Sequence, residues 1–322
     1  MAKPRKILWI TDPWATLDHP NDTSLRLAQG AIELGHTNHW CDVKTIRLEN
    51  SRVTFDAQKI ESARDPRSSS DFKLSKTRAL DFKSFDQIHY RTDPPIDLAY
   101  LQPLQLISLG TEGSKVEVVN PLNVLFRRNE KFEASALSAF APKCIVTSSW
   151  EHLLSFGKRE KKTVLKPLHD AQSKGVELLS WRNDADVRTS RQKLIRLTAG
   201  FKNPVILQRF LPEIAEGEKR LWFIDGKLLA WIRKLPLQGD FRVNLDLGSQ
   251  LARTELNAKD RRAAAAISKR LKSTGIRLAA VDLIEGQIID FNFTSPGLIS
   301  QMEKILSANL VEPIIRALTR QN

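Results

Sequence analysis

Residues 281–296, VDLIEGQIIDFNFTSP, constrain the fold of this chain more than any other segment. Two apolar runs are joined by a turn around Gly286, a pattern that predicts a β-hairpin. If the turn has three residues centred on that glycine, Asp282 lies opposite Asp290, and Asn292 lies on the same face. A two-residue turn would separate these side chains, so the prediction depends on the turn.

Two carboxylates and an amide oxygen on one face form a set of hard oxygen donors. Such a set suits Mg²⁺ that bridges the phosphates of a nucleotide. The alternative interpretation of Asp282, Asp290 and Asn292 is a hairpin with polar residues on its solvent-exposed face. Other segments of the chain favour the binding site.

The length and the cysteine content limit the class of protein. With 322 residues the chain is too long for one compact core, so we expect two or three domains. The sequence has no apolar run long enough for a transmembrane helix, and its start does not have the pattern of a signal peptide. Both observations argue against a membrane protein. Cys41 and Cys144 are the only cysteines and lack metal-type spacing, which favours a reducing cytoplasm.

The formal net charge of +13 is distributed unevenly along the chain. Residues 1–120 sum to 0, residues 121–205 to +8 and residues 206–322 to +5. The basic middle segment could close over a triphosphate, or it could bind a polyanion such as nucleic acid. Zinc spacing, RNP-like aromatics and a helix-turn-helix pattern are all missing, so nucleic acid is the weaker interpretation.

The first 120 residues alternate between strand-like and helix-like patterns, which predicts a domain built on a parallel sheet. Residues 58–85 are polar and are interrupted by Pro66 and a serine run, so we predict a long loop or a mobile insert there. The predicted strands are residues 6–11, 36–43, 86–92 and 115–120, and the predicted helices are residues 24–35 and 95–109.

The pattern changes at residue 121 and again at residue 206. Residues 121–205 predict a mixture of helices and strands, including a basic helix at 184–199. Residues 206–322 predict antiparallel strands, with a hairpin at the Asp225-Gly226 type I′ turn, a helix at 257–273 and a C-terminal helix. We therefore predict an α/β (α+β) protein in three parts.

Two lysines are placed as phosphate ligands would be. Lys166 interrupts the apolar strand TVLKPL, and a buried ammonium usually meets an anion. An edge-strand lysine or an internal ion pair is the alternative for Lys166. Lys131 begins a helix, where a cation opposes the helix dipole unless a phosphate lies nearby.

The loop 169–175, HDAQSKG, joins two predicted strands beside these lysines. Its small residues would allow backbone N–H groups to approach a phosphate, but it contains one glycine only. The Walker pattern GxxxxGK[ST] and the pattern GxGxxG are both missing. The loop by itself is therefore weak support for a phosphate site.

Three arginines fall in the antiparallel region: Arg220, Arg233, and Arg242 in the run GDFRVN with Asn244. Their planar guanidinium groups could clamp carboxylates and phosphates from adjacent strands. Pairing of each arginine with a nearby surface glutamate is the alternative. The histidines show no ligand spacing, and no nucleophilic triad can be identified.

Together these segments resemble the bacterial glutathione synthetases, members of the ATP-grasp ligase superfamily. RxDPP and NxTSP are the most specific elements. The matching pieces, in order, are ITDPWA (10–15), NDTSL (21–25), YRTDPPID (90–97), VNP (119–121), NEKF (129–132), VLKPL (164–168), LQRFLPEI (207–214), GEKR (217–220), IDGK (224–227), GDFRVN (239–244), VDLI (281–284) and FNFTSP (291–296).

The resemblance implies an ATP-grasp fold with a substrate-binding domain (1–120), a lid (121–205) and a catalytic body (206–322), with ATP between lid and body. Implied to contact ATP are Lys131, Lys166, Gln172, Lys174, Gly175, Gln208, Arg209, Phe210, Leu211 and Glu218. Asp282, Asp290 and Asn292 would hold Mg²⁺, with Mn²⁺ as the alternative. Arg220, Arg233, Arg242 and Asn244 would act at the reacting groups, and Arg91, Thr294 and Ser295 would bind substrates.

Two positions depart from the family pattern. The family has glutamate where this chain has Asp290, which is one methylene shorter at a bridging metal position. The glycine-rich lid loop of the family is replaced by HDAQSKG, which resembles the related ribosomal-protein glutamate ligases, as does GDFRVN. Lys174 in this loop could supply a charge in place of backbone N–H groups.

The resemblance implies an ATP-dependent carboxylate–amine ligase, and glutathione synthesis from γ-glutamylcysteine and glycine is the leading hypothesis. One alternative is a ligase that acts on a different peptide or amino acid. The other is a pseudo-ligase that binds a nucleotide or a polyanion without turnover. The expected partners are small peptide and amino-acid substrates, and self-association into a homo-oligomer is left open.

Overall fold

A computed structural model describes residues 3–64, 71–170, 173–245 and 248–320 of the chain. The order of its helices and strands follows the sequence pattern closely, with one large exception between residues 58 and 85. The predicted roles of Gln172 and of the segment with Pro66 fall outside the described residues.

The N-terminal region is organised around a mixed sheet. The strand β1 pairs in parallel with β2 and β7, and β7 pairs in parallel with β8, as the alternating pattern predicted. In chain order the elements are β1 (Lys6–Thr11), α1 (Thr23–Glu33), β2 (Thr37–Asp42), β3 (Arg47–Glu49), β4 (Arg52–Ala63), β5 (Phe72–Leu74), β6 (Arg78–Leu80), β7 (Gln87–Tyr90), α2 (Leu98–Thr111) and β8 (Glu117–Val119).

The prediction of a loop or mobile insert over residues 58–85 was wrong for the residues that the structure describes. The long strand β4 pairs antiparallel with β2, and β5 and β6 both pair with β4. Val53, Phe55 and Ala57 alternate along β4 and are buried in one core cluster, whereas Ile60 is buried in the second cluster. The alternation that defines the strand begins before residue 58, where the polar composition of the following segment masked it.

The middle region forms a small layer with its own core. Its sheet has the strand order β11-β10-β12-β9, with antiparallel neighbours throughout. Gly157 lies against the ring of Trp181, where a Cβ atom would come within 2.2 Å of the ring. In chain order the elements of the layer are β9 (Cys144–Thr147), α5 (Trp150–Glu160), β10 (Lys162–Pro167), β11 (Glu177–Ser180), α6 (Asp184–Leu197) and β12 (Val205–Arg209). The two helices that precede it, α3 (Leu122–Arg127) and α4 (Glu130–Ala136), instead contribute buried side chains to the core that the N-terminal and last regions share.

The last region is a larger antiparallel sheet with the strand order β15-β14-β13-β16-β17. Its first hairpin turns at Asp225 and Gly226, which both have positive φ, as the predicted type I′ turn requires. The elements are β13 (Glu218–Ile224), β14 (Lys227–Leu235), β15 (Gln250–Ala252), α7 (Ala258–Thr274), β16 (Leu278–Ile284), β17 (Gln287–Asn292), α8 (Ile299–Leu306) and α9 (Val311–Leu318). The predicted C-terminal helix is thus divided into α8 and α9.

The N-terminal region and the last region share their hydrophobic core. One cluster of buried side chains runs from Leu8 and Phe55 to Phe291, and a second runs from Trp9 to Ile315. The Asn120 side chain donates to the carbonyls of Leu278 and Phe293, which connects the two sheets. The middle layer is therefore the part that packs separately, above a continuous body. Within the described ranges, no helix is both long and apolar enough to cross a membrane.

Candidate active site

A cavity of about 550 Å³ lies where the three regions meet. Its wall comes from the start of α1, the end of β7, the start of α4, the sheet face of the middle layer, and strands β13, β14, β16 and β17. The predicted site residues on this wall are Arg91, Lys131, Lys166, Lys174, Gln208, Arg209, Phe210, Leu211, Glu218, Arg220, Arg242, Asn244, Asp282, Asp290, Asn292, Thr294 and Ser295.

The hairpin of β16 and β17 brings Asp282 opposite Asp290 by a route that the sequence did not reveal. The turn has two residues, because Ile284 pairs with Gln287. A β-bulge then shifts the register between Asp282 and Leu283, so that Asp282 pairs with Asp290 after all. Asp282 and Asp290 are therefore opposite each other although the turn has two residues, because the bulge compensates for the shorter turn.

Asp282 is held by two cations. Arg220 donates from Nε to Oδ1 at 2.9 Å and from Nη2 to Oδ2 at 2.7 Å, and Lys234 Nζ lies 3.3 Å from Oδ2. Burial alone would raise the pKa of Asp282, but Arg220 and Lys234 hold it well below its usual range. Asp282 is therefore a carboxylate at every physiological pH.

Asp290 has a cationic partner of its own. Lys131 Nζ donates to Asp290 Oδ1 at 2.7 Å, and the Lys131 side chain is only 7% exposed. Burial would lower the pKa of Lys131, but Asp290 and Glu130 raise it above its ordinary value. Both members of the pair are thus charged. The lysine at the helix start meets a carboxylate here, at a point that a phosphate could share.

Lys166 differs from Lys131 and Arg220 because it donates to a backbone carbonyl rather than to a carboxylate. Its Nζ donates to Ile289 O at 2.8 Å, and Ile289 is the residue that the bulge in β17 leaves without a partner in β16. Burial lowers the pKa of Lys166, and nearby Asp290 offsets this only in part. The edge-strand alternative was wrong, because β10 lies between β11 and β12.

Arg233 is not part of the cavity wall among the described residues, and Lys234 takes its place. A bulge in the β13–β14 hairpin shifts the register at Trp222 and Phe223, so Glu218 pairs with Lys234. Arg233 instead pairs with Lys219 on the opposite face of the sheet. The expected placement of Arg233 in the site was therefore wrong.

Lys234 is the residue that sequence analysis missed. Its side chain is 8% exposed, and it forms ion pairs with Glu218 and Asp282. Because side chains alternate along a strand, an undisturbed two-residue hairpin would have placed Arg233 opposite Glu218. Only the position of the bulge would have indicated that Lys234 faces the site, and nothing in the local sequence marks that bulge.

One side of the cavity is apolar. Leu211, Ile214 and Ile284 form a buried cluster against which Phe241 and Ile289 pack, at the end of β12. The ring of Phe210 lies edge-on to Phe241, with centroids 6.4 Å apart, and Lys162 lies over Phe210. A flat apolar slot beside strand backbone suits a nucleotide base, and the cations next to it suit its phosphates.

The substrate-facing end of the cavity contains a buried arginine. Arg91 donates from Nε to Ser24 Oγ at 3.1 Å and from Nη2 to Pro296 O at 2.8 Å. Its Nη1 is buried and has no hydrogen-bond partner among the described residues. A guanidinium that is fixed in this way has a donor left for a carboxylate.

The predicted phosphate loop is placed only in part. Lys174 lines the cavity, and the Ser173 hydroxyl donates to Val243 O at 3.4 Å. Gly175 has φ of +67° and lies against Pro167, and it is not among the described lining residues. His169 O accepts from Ile96 N at 2.9 Å, so this loop contacts the N-terminal region.

The donor set of the hairpin fits a hard divalent cation. Asn292 Nδ2 donates to Ala280 O at 3.2 Å and to Asp282 Oδ2 at 3.5 Å, so the amide lies against one of the two carboxylates, and its oxygen is a donor of the kind that such a cation prefers. No group of three or more His, Cys, Asp and Glu forms a metal site in the ranges described, so the candidate set is two aspartates and an amide. Arg220 and Lys131 now occupy oxygens that a cation would use.

Arg242 and Asn244 lie on a loop at the rim of the cavity. Arg242 donates to Asp240 at 2.8 Å and is 40% exposed, and Asn244 N donates to Ser249 Oγ at 2.9 Å. Unlike Arg220, Arg242 is bound to a carboxylate two residues away on the same loop. It can therefore exchange this partner for a ligand at small cost.

Comparison with known proteins agrees with this site. The model of the prokaryotic glutathione synthetase N-terminal domain matches residues 6–125, and that of the prokaryotic glutathione synthetase ATP-grasp domain matches residues 130–307. A glutathione synthetase of Parasynechococcus marenigrum is 33% identical over 97% of this chain and 98% of its own. One from Neisseria meningitidis is 29% identical over 90% and 91% of the two chains.

Solved structures show the same fold at low sequence identity. The D-cycloserine synthetase DcsG has a TM-score of 0.67 at 18% identity, covering 97% of this chain and 98% of that one. The ATP-grasp ligase PsnB, complexed with minimal precursor, Mg and ADP, has a TM-score of 0.60 at 13% identity, over 97% and 96%. The ATP-grasp fold expected from the motifs is confirmed, and the chain belongs to the prokaryotic glutathione synthetase family of ATP-dependent ligases.

Proposed function

We propose that this protein joins γ-glutamylcysteine to glycine with hydrolysis of ATP to ADP and phosphate. The observation that carries the proposal is one cavity between the middle layer and the body that combines two opposed aspartates, an apolar slot and a group of cations, namely Arg91, Lys131, Lys166, Arg220 and Lys234. The family supplies the substrate class, and the cavity supplies groups suited to each part of those substrates.

In the proposed reaction a substrate carboxylate oxygen attacks the γ-phosphorus of ATP, and ADP leaves. The amine nitrogen then attacks the carbonyl carbon of the acyl phosphate, phosphate leaves and the amine loses a proton. Lys131, Lys166 and Arg220 would neutralise charge on the transferred phosphoryl group, which is the main requirement of this chemistry. Asp282, Asp290 and Asn292 would hold Mg²⁺, with Mn²⁺ as an alternative, and the ion would supply positive charge to stabilise the transferred phosphoryl group.

The remaining roles follow from the placement of the side chains. The strand end Gln208–Leu211 would hold adenine, and Glu218 would face the ribose. Arg91 Nη1, with Thr294 and Ser295, would bind the peptide and amine substrates, and Arg242 and Asn244 would close over them. We also propose that the lid comprises residues 121–205, between a substrate domain (1–120) and a catalytic body (206–322).

The proposed location is the cytoplasm, in a homo-oligomer or as a single chain. The free cysteines, Cys41 and Cys144, support a reducing compartment. A role in nucleic-acid binding has no support in the cavity, whose cations are paired with carboxylates and backbone rather than spread over a surface. The expected partners remain small peptides and amino acids.

Phosphate release tests the proposed reaction. Purified protein with ATP, Mg²⁺, γ-glutamylcysteine and glycine should release phosphate and form glutathione, and omission of any one component should stop the reaction. A protein that binds ATP but forms no product would contradict the substrate pair. Turnover with another peptide or amino acid would then identify a ligase of different specificity.

A paired substitution tests whether Lys234, rather than Arg233, belongs to the site. Lys234→Met leaves Glu218 and part of Asp282 without a cation, so kcat/KM should fall about tenfold or more. Arg233→Met alters the opposite face of the same strand, and kcat/KM should stay within about twofold of wild type. A larger loss of kcat/KM in Arg233→Met than in Lys234→Met, measured in steady-state assays, would show that Arg233 rather than Lys234 belongs to the site.

A further inference from the structure

Glu130 is a buried carboxylate to which the sequence motifs gave no role. Its side chain lines the cavity, and the residue is 5% exposed. One oxygen, Oε1, accepts three hydrogen bonds, from Phe293 N at 2.7 Å, Thr294 N at 2.9 Å and Thr294 Oγ1 at 2.9 Å. Charge-assisted bonds of this kind are short and strong, and three on one atom fix a segment closely.

The residues on either side of Glu130 reach two other parts of the cavity. Asn129 caps α4 and donates from Nδ2 to Leu168 O, at the beginning of the lid loop. Lys131 donates to Asp290, the candidate metal ligand. Three consecutive side chains at one helix start therefore bind the lid loop, the Phe293–Ser295 segment and the metal-site hairpin.

From this arrangement we propose that Glu130 is a positioning residue, which holds the Phe293–Ser295 segment at a fixed distance from Lys131 and Asp290. Thr294 and Ser295 lie on the cavity wall, and the Glu130 carboxylate binds their segment by its backbone. The amine substrate would then meet the acyl phosphate in the correct geometry, because the segment and the phosphate-binding lysine share one helix start. This inference rests on the proposed function only where its test measures the KM for glycine, because the measurement of hydrogen exchange needs no turnover.

A matched pair of carboxylates on α4 separates positioning from simple stability. Glu133 is also 5% exposed, and it accepts from Arg128 and Arg270, away from the cavity wall. Glu130→Gln and Glu133→Gln each replace a buried carboxylate by an amide of the same shape. Both variants lose charge-assisted hydrogen bonds, but only the first loosens the segment that faces the substrate.

We expect Glu130→Gln to raise KM for glycine about tenfold, because its neutral oxygen holds the segment more weakly, with the Kd for ATP within about threefold of wild type. Amide hydrogen exchange at Phe293 and Thr294 should become faster in Glu130→Gln and stay unchanged in Glu133→Gln. Glu130→Asp, which keeps the charge, should recover part of the loss in KM.

Several outcomes would overturn the proposal. Unchanged exchange at Phe293 and Thr294 would show that Glu130 does not hold the segment. Faster exchange with an unchanged KM would show that holding the segment has no effect on the substrate. Equal effects of Glu130→Gln and Glu133→Gln on KM, on ATP binding and on melting would reduce Glu130 to a stabilising residue.

The test also separates this inference from the proposed reaction. If wild-type protein binds ATP but forms no glutathione, the substrate assignment fails, and hydrogen exchange in the nucleotide complex then decides the inference. Faster exchange at Phe293 and Thr294 in Glu130→Gln, with ATP affinity retained, would support it. Equal protection in wild type and variant would overturn it.

Discussion

Asp282→Asn is expected to lower turnover about a thousandfold or more, which is the loss typical of removing a group that stabilises developing charge. Asp282 is the centre of the charged network: Arg220 binds both of its oxygens, and Lys234 lies 3.3 Å from one of them. An amide of the same shape keeps one acceptor but removes the negative charge that a divalent cation and both side-chain cations require. Steady-state phosphate release measures the effect.

The same substitution should also lower the free energy of unfolding. Asp282 is 2% exposed, and removing one partner of a buried ion pair costs about 3 kcal/mol because the other charge remains buried. The depressed pKa has a defined consequence for pH. Because the carboxylate titrates lower in the folded protein than in the unfolded chain, its stabilisation is present above the unfolded pKa and is lost as the pH falls below it. Denaturant unfolding at two pH values measures both effects.

Asp260→Asn is the matched control. Asp260 is fully buried at the start of α7 and pairs with Lys219, the strand neighbour of Arg220, whose side chain points to the other face of the sheet. Its loss should lower stability by a similar amount and leave kcat of the folded protein unchanged. If Asp282→Asn kept wild-type turnover, Asp282 would be a structural ion pair and the metal assignment would fail.

Two hairpins show how far sequence reasoning extends into this site. Both have a two-residue turn with positive φ, at Asp225-Gly226 and at Glu285-Gly286, but the sequence specified the turn length only for the first. In both, a bulge then shifts the register by one residue. The shift places Asp290 opposite Asp282, and it removes Arg233 from the site in favour of Lys234.

A bulge is decided by packing between strands rather than by the local residues, so the sequence could not specify either register. The pairing of Asp282 with Asp290 was predicted on the condition of a three-residue turn, and it occurs with a two-residue turn because the unforeseen bulge restores the register. The prediction at Arg233 was wrong because the bulge alone was missing. The same limit applies to Lys166, whose partner Ile289 O is available only because of the bulge.

Local signals were more informative about the fold. The cap residue Asp22 accepts from Leu25 N as the predicted start of α1 requires, and Asn257 forms a capping box at α7. Polar composition misled only where a strand has one exposed face, as in β4. The order of the motifs along the chain, rather than any single pattern, identified the ATP-grasp fold. No single pattern could do so, because the sequence contains neither a glycine-rich phosphate motif nor a recognisable nucleophilic triad.

Lys166→Met should weaken ATP binding about 10- to 100-fold, since a hydrogen bond to a charged group contributes about 1.5–3 kcal/mol. The protein itself should change little in stability, by about 1 kcal/mol or less, because the Lys166 ammonium donates to the Ile289 carbonyl rather than to a buried carboxylate. Burial lowers the pKa of this lysine, which means that the charged form of Lys166 is disfavoured in the folded protein when no anion is bound. Isothermal titration with ATP and denaturant unfolding provide the two measurements.

Lys219→Met should show the opposite pattern. Lys219 is a buried lysine of comparable size, but its partner is Asp260, and both lie on the face of the sheet away from the cavity. Its replacement leaves a buried carboxylate unpaired, so stability should fall by about 3 kcal/mol while the Kd for ATP stays unchanged. Equal losses of ATP affinity in both variants would mean that the effect at Lys166 is transmitted through the fold. Loss of affinity in Lys166→Met alone, with stability retained, would identify Lys166 as a cation kept for its ligand rather than for the fold.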